Sequence, residues 1–240
     1  MSKNLIILLL ITISFTYEVP NMFYTFQQQW PGSICLTKQC YKDNVGNYKG
    51  QSWAIHGLWP GATNDSGDCE ELEACTNNKF KESNLSKTTV TNLDQAWVGF
   101  FNPSGSFRAH EWNKHGTCWD EKDDLVPQVP GMNVQEEYFQ TTLQLWKSYN
   151  IYDILSAAGI KPDDNKLYDT DSILDAIENK IGSTAQLLCS KDSNNKLLLI
   201  SVSFCVNEQY QPQRCPCDIY GGIPCGSRKN DKVRYPVFRL

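Results

Sequence analysis

All three histidines of this 240-residue chain lie in two short, tryptophan-rich segments about fifty residues apart. His56 belongs to the segment WAIHGLWP, and His110 and His115 belong to the segment FRAHEWNKHGTC. Histidine is the side chain whose ordinary pKa makes it a proton donor and acceptor near neutrality. An isolated histidine is usually a surface or packing residue. Here the second segment also carries Glu111 and Lys114, and this combination favours catalysis.

A helix over residues Ala109–Gly116 would bring these polar groups together, because each residue of an α-helix turns by about 100°. One broad face would then carry His110, Glu111, Lys114 and His115. Glu111 and His115 are four residues apart, a spacing at which side chains are neighbours on a helix. We therefore expect Glu111 to orient the ring of His115 and to raise its pKa.

The histidine spacing does not fit a zinc protease. The H-E-x-x-H motif needs its two histidines four residues apart on one helix face. Here His110 and His115 are five apart, and Lys114 stands where the second ligand would be. We predict no metal site and no other cofactor.

Two imidazoles with a lysine and a glutamate, without metal, suit phosphoryl transfer within RNA. One imidazole removes the proton of the ribose 2′-OH, and the other protonates the leaving 5′-oxygen. Lys114 would stabilise charge on the nonbridging phosphate oxygens. The Trp59 ring is a face for stacking a base, although a place in the core is an equally good interpretation. DNA lacks the 2′-OH, so we expect it not to be a substrate.

The first sixteen residues have the pattern of a secretory signal. Lys3 gives a basic start, and Leu5 to Phe15 form an apolar stretch broken only by Thr12 and Ser14. The stretch is too short for a membrane span, although a signal anchor is the competing interpretation. We predict a signal peptide over residues 1–16 and a catalytic domain over residues 17–240. The mature protein is expected to be a soluble monomer without membrane attachment.

Ten cysteines in a chain that enters the secretory route indicate disulfides rather than a zinc cage. Cys215 and Cys217 are expected to be halves of two different disulfides. Asn64 and Asn84 begin N-glycosylation sequons, which predicts N-glycans there. The net charge of −5 argues against a broad basic surface for nucleic acid. It permits an enzyme with a local cationic pocket.

The elements that must position these residues are strands at both ends of the chain and helices between them. Such an order predicts an α+β domain. Residues 61–90 are polar and predicted to be a loop. The predicted strands are Phe23–Trp30, Gln51–Leu58, Leu197–Val206 and Val233–Phe238, the last at a sheet edge because of Pro236. The predicted helices lie in Val134–Ala158, with a break at Tyr149-Asn150, and from a cap at Asp171 to Ile181, closing at Gly182.

The two histidine segments resemble the paired active-site motifs of the ribonuclease T2 family, W/F-x-I-H-G-L-W-P and H-E-W-x-K-H-G-T-C. Both motifs match without a gap, and their order and separation also fit. The segment FQQQWP resembles the first strand of the family, and the cysteine-rich end that finishes in Tyr235-Pro236 resembles its last strand. The resemblance covers nearly the whole predicted mature chain.

This resemblance implies an α+β fold with a central, mostly antiparallel sheet and flanking helices. It also implies endonucleolytic cleavage of single-stranded RNA through a 2′,3′-cyclic phosphate. His56 and His115 would be the acid–base pair, His110 would contact phosphate, and Glu111 with Lys114 would support the transition state. We expect His115 to be the base and His56 the acid, although the motifs are compatible with the reverse.

The resemblance further implies that Trp59 stacks on one base, and that Pro103, Ser104 and Phe107 form a second base subsite. Some members carry an Asp directly after the Trp-Pro of the first motif and a Tyr a few residues later, both at the first base, where this chain has Gly61 and Gly67. The resemblance therefore leaves the base preference open. Asn102 replaces a frequent cysteine, so one usual disulfide is absent or rerouted through Cys75 or Cys217. The family pattern pairs Cys118 with Cys69 or Cys75, and Cys189 with Cys225.

A second hypothesis from another class is a ribonuclease-shaped protein whose role is recognition or signalling rather than RNA turnover. The acidic balance weakens the pollen-rejection version of this hypothesis, because those members tend to be basic. For either role we expect a secreted protein or one in a lysosome-like acidic compartment.

Overall fold

The computed structural model describes residues 22–41, 44, 48, 52–64, 66–120, 132–217, 223–225 and 231–239. The signal peptide predicted for residues 1–16 lies outside these ranges. None of the helices in the described ranges is long and apolar enough to cross a membrane.

Nine strands in the described part of the chain form one sheet. They are β1 Met22–Gln29, β2 Ala54–Thr63, β3 Cys69–Glu71, β4 Asp163–Asp169, β5 Ala185–Lys191, β6 Leu197–Val206, β7 Pro212–Gln213, β8 Ile223–Pro224 and β9 Lys232–Tyr235. The main path runs β3-β2-β1-β6-β5-β8, and every neighbouring pair along it is antiparallel. β9 pairs with β4 antiparallel and with β6 parallel. The sheet is therefore central and mostly antiparallel, as predicted.

Helices flank this sheet. They are α1 Pro31–Thr37, α2 Lys87–Ala96, α3 Ser104–Glu111, α4 Thr117–Asp120, α5 Val134–Ser148, α6 Ile151–Ala157 and α7 Thr170–Ile181, with a 3₁₀ turn at Glu82–Asn84 and a π-helical turn at Trp112–Gly116. Side-chain caps fix several starts: the Asn150 side chain, for example, accepts from the Asp153 N–H at 3.2 Å. Gly182 ends α7 with a φ of 73°, a left-handed conformation that suits glycine.

Most predicted elements are confirmed, including β1, β6 and the break between α5 and α6. The second strand is longer than predicted: Trp59, Pro60 and Gly61 lie inside β2, which stays paired with β1 as far as Ala62. The polar stretch 61–90 contains β3 and the start of α2 rather than only loop.

Two finer predictions about the ends of elements are wrong. β9 ends at Tyr235, before Pro236, and it has a partner strand on each side, so it is not an edge. The N-cap of α7 is Asp169, and Asp171 lies in its first turn.

Tryptophans form much of the core between the sheet and the helices. Five of the seven are almost fully buried: Trp30, Trp53, Trp97, Trp112 and Trp119. The Trp53 indole also donates a 2.8 Å hydrogen bond to the Tyr235 hydroxyl, which ties β2 to β9. The tryptophan content of the two motifs is thus partly structural, because Trp53 and Trp112 are core residues. Trp59, in contrast, is only half-buried.

All ten cysteines are paired. The disulfides are Cys35–Cys40, Cys69–Cys217, Cys75–Cys118, Cys189–Cys225 and Cys205–Cys215. These disulfides confirm the predicted partners of Cys118 and Cys189. They also confirm that Cys215 and Cys217 belong to two different disulfides. Cys217 takes Cys69 as its partner.

Candidate active site

His56 reaches the site because β2 carries a bulge. In the β1–β2 register, Gln27 lies opposite Gly57 and Gln28 lies opposite Ile55, so β2 has one extra residue at this point. A bulge of this kind re-aims a side chain. Ile55 is fully buried in the core, whereas 35% of the His56 side chain is exposed. The bulge therefore turns the imidazole out of the core.

The other titratable groups come from a helical segment that changes geometry at the site. α3 continues into the π-helical turn, in which the Thr117 N–H bonds the Trp112 carbonyl five residues back. π-turns are rare and frequently occur at functional sites. The wider turn changes the 100° spacing on which the predicted face rested. In the structure Glu111 lies near His56, and His115 lies near Glu71.

Glu111 is buried and belongs with the first motif. Its Oε2 accepts a 2.9 Å hydrogen bond from the Trp59 indole, and its Oε1 lies 3.9 Å from His56 Nε2. This approach requires Gly57, because a Cβ there would lie 2.2 Å from Trp59 Nε1 and 2.7 Å from Glu111 Oε2. Burial raises the pKa of Glu111 to about 7, against the lowering effects of the Trp59 hydrogen bond and the Lys114 charge.

His115 is buried, and its nearest carboxylate is not the predicted one. Its Nδ1 lies 3.8 Å from Oε1 of Glu71, on β3. Burial first, and then the charges of Lys114, His110 and His56, lower the pKa of His115 to about 3. The prediction that Glu111 raises this pKa is therefore wrong.

His56 has a lowered pKa as well. Desolvation is the main cause, followed by the charges of His110 and Lys114, and together they bring the pKa of His56 to about 4. His110 itself is exposed. The charges of His110 and Lys114 act on both His56 and His115, so these four groups share one electrostatic environment. Both lowered values favour neutral rings near neutral pH.

Lys114 pairs with Glu73, which lies two residues after Glu71 in the segment between Cys69 and Cys75. Its Nζ lies 2.6 Å from Glu73 Oε1, with both side chains about two-fifths exposed, and this hydrogen bond is the main cause that raises the pKa of Lys114. The segment that carries Glu71 and Glu73 is anchored by disulfides at both ends, Cys69–Cys217 and Cys75–Cys118. Sequence reasoning missed these carboxylates, although an acidic run between two cysteines was a usable signal.

The aromatic residues predicted at the site lie against its histidines. The Trp59 ring centroid is 5.1 Å from that of His56 and 5.4 Å from that of His115. The Phe107 ring is 5.8 Å from His56. The structure thus brings Trp59 and Phe107 together with all five predicted catalytic residues.

Pro103 and Ser104 belong to the loop that precedes this helical segment. Pro103 is exposed and forms the N-cap position of α3. The Ser104 hydroxyl accepts a 3.2 Å hydrogen bond from the Gly99 N–H. Ser104 therefore fixes the shape of the 99–104 loop, a role that the sequence did not indicate.

One further polar neighbour of His56 was not predicted. Gln27, on β1, places its Oε1 2.5 Å from His56 Nδ1. In the sequence it is one of three consecutive glutamines in a strand, and nothing in that run distinguishes it.

The chain resembles known ribonucleases over most of its length. A family model described as "Ribonuclease T2 family" matches residues 21–215. Ribonuclease 1 of Arabidopsis thaliana is 34% identical over 220 residues, covering 90% of this chain and 86% of that protein. Extracellular ribonuclease LE of Solanum lycopersicum is 32% identical, covering 90% and 87%.

The structure is also similar to that of a ribonuclease. The crystal structure of RNase NT in complex with 5′-AMP superimposes with a TM-score of 0.73 at 27% identity, covering 91% of this chain and 99% of that one. The two histidine motifs, the sheet that presents the first of them and these similarities agree. The chain belongs to the ribonuclease T2 family.

Proposed function

We propose that this protein is an endoribonuclease that cleaves single-stranded RNA by metal-independent acid–base catalysis, with a 2′,3′-cyclic phosphate as product. The observation that carries the proposal is that His56 and His115 both lie against Trp59, with ring centroids 5.1 and 5.4 Å from its ring. Glu111, bonded to the same indole, completes the cluster.

In the proposed reaction, His115 removes the proton of the ribose 2′-OH, and the 2′-oxygen forms a bond to phosphorus. The bond from phosphorus to the 5′-oxygen breaks, and His56 gives that oxygen a proton. A pKa of about 3 keeps His115 neutral over the working range, as a base requires. The pKa of His56 is about 4 in the free enzyme, and a bound phosphate anion would raise it, because a nearby opposite charge favours the protonated ring.

The remaining polar groups are assigned to the developing phosphate charge. Lys114 supplies a positive charge, and His110 contacts phosphate from its exposed position. Glu111, with a pKa of about 7, is a neutral acid below that pH. In that form it can donate a hydrogen bond to a nonbridging oxygen, as buried neutral carboxylic acids do in other enzymes.

Substrate contacts are assigned to the aromatic side chains near the histidines. Trp59 and Phe107 would stack on bases, each worth on the order of 1–3 kcal/mol. Pro103 and Ser104 would shape the second base subsite through the 99–104 loop. DNA is excluded as a substrate by its missing 2′-OH.

The proposal includes the remaining sequence predictions. We propose a signal peptide over residues 1–16, a mature catalytic domain over 17–240 and a monomer that is secreted or held in a lysosome-like acidic compartment. One relative from Solanum lycopersicum is named extracellular and another intracellular, which fits either location. N-glycans are proposed at Asn64, which is exposed, and at Asn84. A role in recognition without RNA turnover is not favoured, because the full set of acid–base groups is retained.

The experiment is digestion of yeast RNA by the purified protein in excess EDTA, with a DNA oligonucleotide in a parallel reaction. The proposal expects RNA products that end in a 2′,3′-cyclic phosphate, detected by mass spectrometry, and intact DNA. Loss of activity in EDTA, or equal cleavage of the DNA, would contradict it. If the protein cleaves neither RNA nor DNA at any pH between 3 and 8, the result would favour the recognition hypothesis.

A further inference from the structure

A buried glutamine, Gln27, contacts the Nδ1 atom of His56. His56 Nδ1 and Gln27 Oε1 are 2.5 Å apart, a short hydrogen bond. Gln27 Nε2 in turn donates to the hydroxyl of Ser203, on β6, at 2.7 Å. The chain of contacts therefore runs from the middle of the sheet, through β1, to the imidazole on β2.

The two residues that connect the sheet to His56 are buried. Gln27 is 1% exposed and Ser203 is fully buried. Buried polar groups need partners within the protein, since an unpaired one costs about 1–3 kcal/mol. With its amide nitrogen directed at Ser203, Gln27 presents only an acceptor oxygen to His56. In this arrangement the hydrogen bond forms only when the imidazole carries its proton on Nδ1.

We propose that Gln27, oriented by Ser203, is a positioning residue that selects Nε2 of His56 as the atom that exchanges protons with substrate. The inference rests on the proposed function of His56 as general acid. When His56 gives its Nε2 proton to the leaving 5′-oxygen, the neutral ring that remains has its proton on Nδ1. Gln27 accepts from this Nδ1–H before and after the step, so the ring keeps one orientation through the reaction.

The direction of the ring agrees with this assignment. Nε2 is the nitrogen that faces Glu111, 3.9 Å away, on the side of the catalytic cluster. The charged groups that act on the ring, His110 and Lys114, also come from the helical segment. On the β1 side the ring meets the neutral amide of Gln27. A substitution that adds a charge at residue 27 therefore acts on the Nδ1 side of the ring and leaves the Nε2 side unchanged.

Two variants test the role. Gln27→Glu keeps the shape and replaces the neutral acceptor by a carboxylate, to which the Ser203 hydroxyl can donate. The carboxylate favours the imidazolium, so the basic limb of the kcat/KM profile, which reports the acid, should move up by about 1–3 pH units. Gln27→Leu removes the acceptor and frees the ring, and kcat/KM on a dinucleotide should fall by about 10²-fold.

The second readout is nitrogen NMR of histidine-labelled protein, which distinguishes a protonated from an unprotonated ring nitrogen. The protein has three histidines. The signals of His56 can therefore be assigned from variants in which His110 or His115 is replaced one at a time. Neutral wild-type His56 should carry its proton on Nδ1, and Gln27→Leu should show both tautomers. A wild-type ring with its proton on Nε2 would overturn the assignment whatever the activity.

Gln28→Leu is the matched control. Gln28 is an adjacent buried glutamine that faces the other side of β1 and bonds the Tyr149 carbonyl at 2.7 Å. Its loss should lower stability without moving the basic limb or the tautomer. If wild type cleaves RNA but Gln27→Glu leaves the basic limb in place, the positioning role is overturned and the function stands. If wild type cleaves no RNA, the proposed function fails, and NMR still decides the tautomer.

Discussion

The indole of Trp59 donates a 2.9 Å hydrogen bond to the buried carboxyl of Glu111. This bond joins the strand that carries the first motif to the helical segment that carries the second. From the sequence, Trp59 was expected either to stack on a base or to lie in the core, and in the structure it also connects to the catalytic cluster. Because the hydrogen bond lowers the pKa of Glu111, it also sets how readily that carboxyl keeps its proton.

Trp59→Phe should therefore do more than weaken base stacking. It keeps an aromatic face but leaves Glu111 without a donor, which costs about 1–3 kcal/mol in a buried site. The free energy of unfolding should fall by that amount in urea titrations at pH 7. In a Glu111→Leu background the same substitution should cost much less, because the acceptor is gone. Equal costs in the two backgrounds would show that the bond contributes nothing.

His56→Ala and His115→Ala should each lower kcat by at least about 10², since each removes an acid or base. The double variant should be little worse than either single one, because the pair acts as a unit. Lys114→Ala should cost less, because it stabilises charge without transferring a proton. Circular dichroism would verify that each variant is folded. A His115→Ala enzyme with more than about a tenth of wild-type kcat would contradict the role of this residue.

Glu73→Gln should strengthen substrate binding. The Lys114 ammonium is paired with Glu73 at 2.6 Å, so a substrate phosphate must share or displace that carboxylate. We expect KM on a dinucleotide to fall several-fold at low salt with kcat little changed, and the gain to shrink as salt screens the charges. Stability should change by less than about 1 kcal/mol, because the pair is exposed.

Glu82→Gln serves as the control for Glu73→Gln. It removes the same charge from an exposed residue in the 3₁₀ turn. An equal fall in KM for both variants would attribute the effect to net charge rather than to the pairing with Lys114.

Glu111→Gln should change the pH dependence of stability. The folded-state pKa of Glu111 is raised from 4.5 to about 7. The contribution of the protonated Glu111 carboxyl to folding stability is therefore fully present below about pH 4.5 and is lost as pH rises through 7. Relative to wild type, the variant should gain stability between pH 4.5 and 8, on the order of 3 kcal/mol at most. A stability difference that is constant across this range would contradict the raised pKa.

The parts of the fold that local pattern dictates could be predicted from sequence. Asn150 and Gly182 mark helix ends by their own chemistry, and β1 and β6 are visible as alternating or apolar runs. The extension of β2 through Pro60 could not be predicted, because it depends on pairing with β1 along its whole length. Local turn residues are overruled there by the sheet.

The site was predictable as a set of residues and less so as a set of contacts. The spacing of Glu111 and His115 suggested a pair, but a π-helical turn follows Glu111, and the two side chains have different neighbours, His56 and Glu71. That turn depends on tertiary packing: a Cβ at Gly116 would lie 2.5 Å from the Trp112 ring, so glycine allows the indole to pack there. The contact of Glu71 with His115 arises from the pairing of β3 with β2 and from two long-range disulfides, which no local pattern specifies.

The pH profile of kcat/KM on a dinucleotide, measured from pH 2 to 9 in EDTA, tests the two-histidine mechanism most directly. The mechanism needs one ring neutral and one protonated, and both pKa values are lowered, to about 4 for His56 and about 3 for His115. The profile should therefore be a bell with its maximum on the acid side of neutrality. A flat profile, or a maximum above pH 8, would contradict the mechanism.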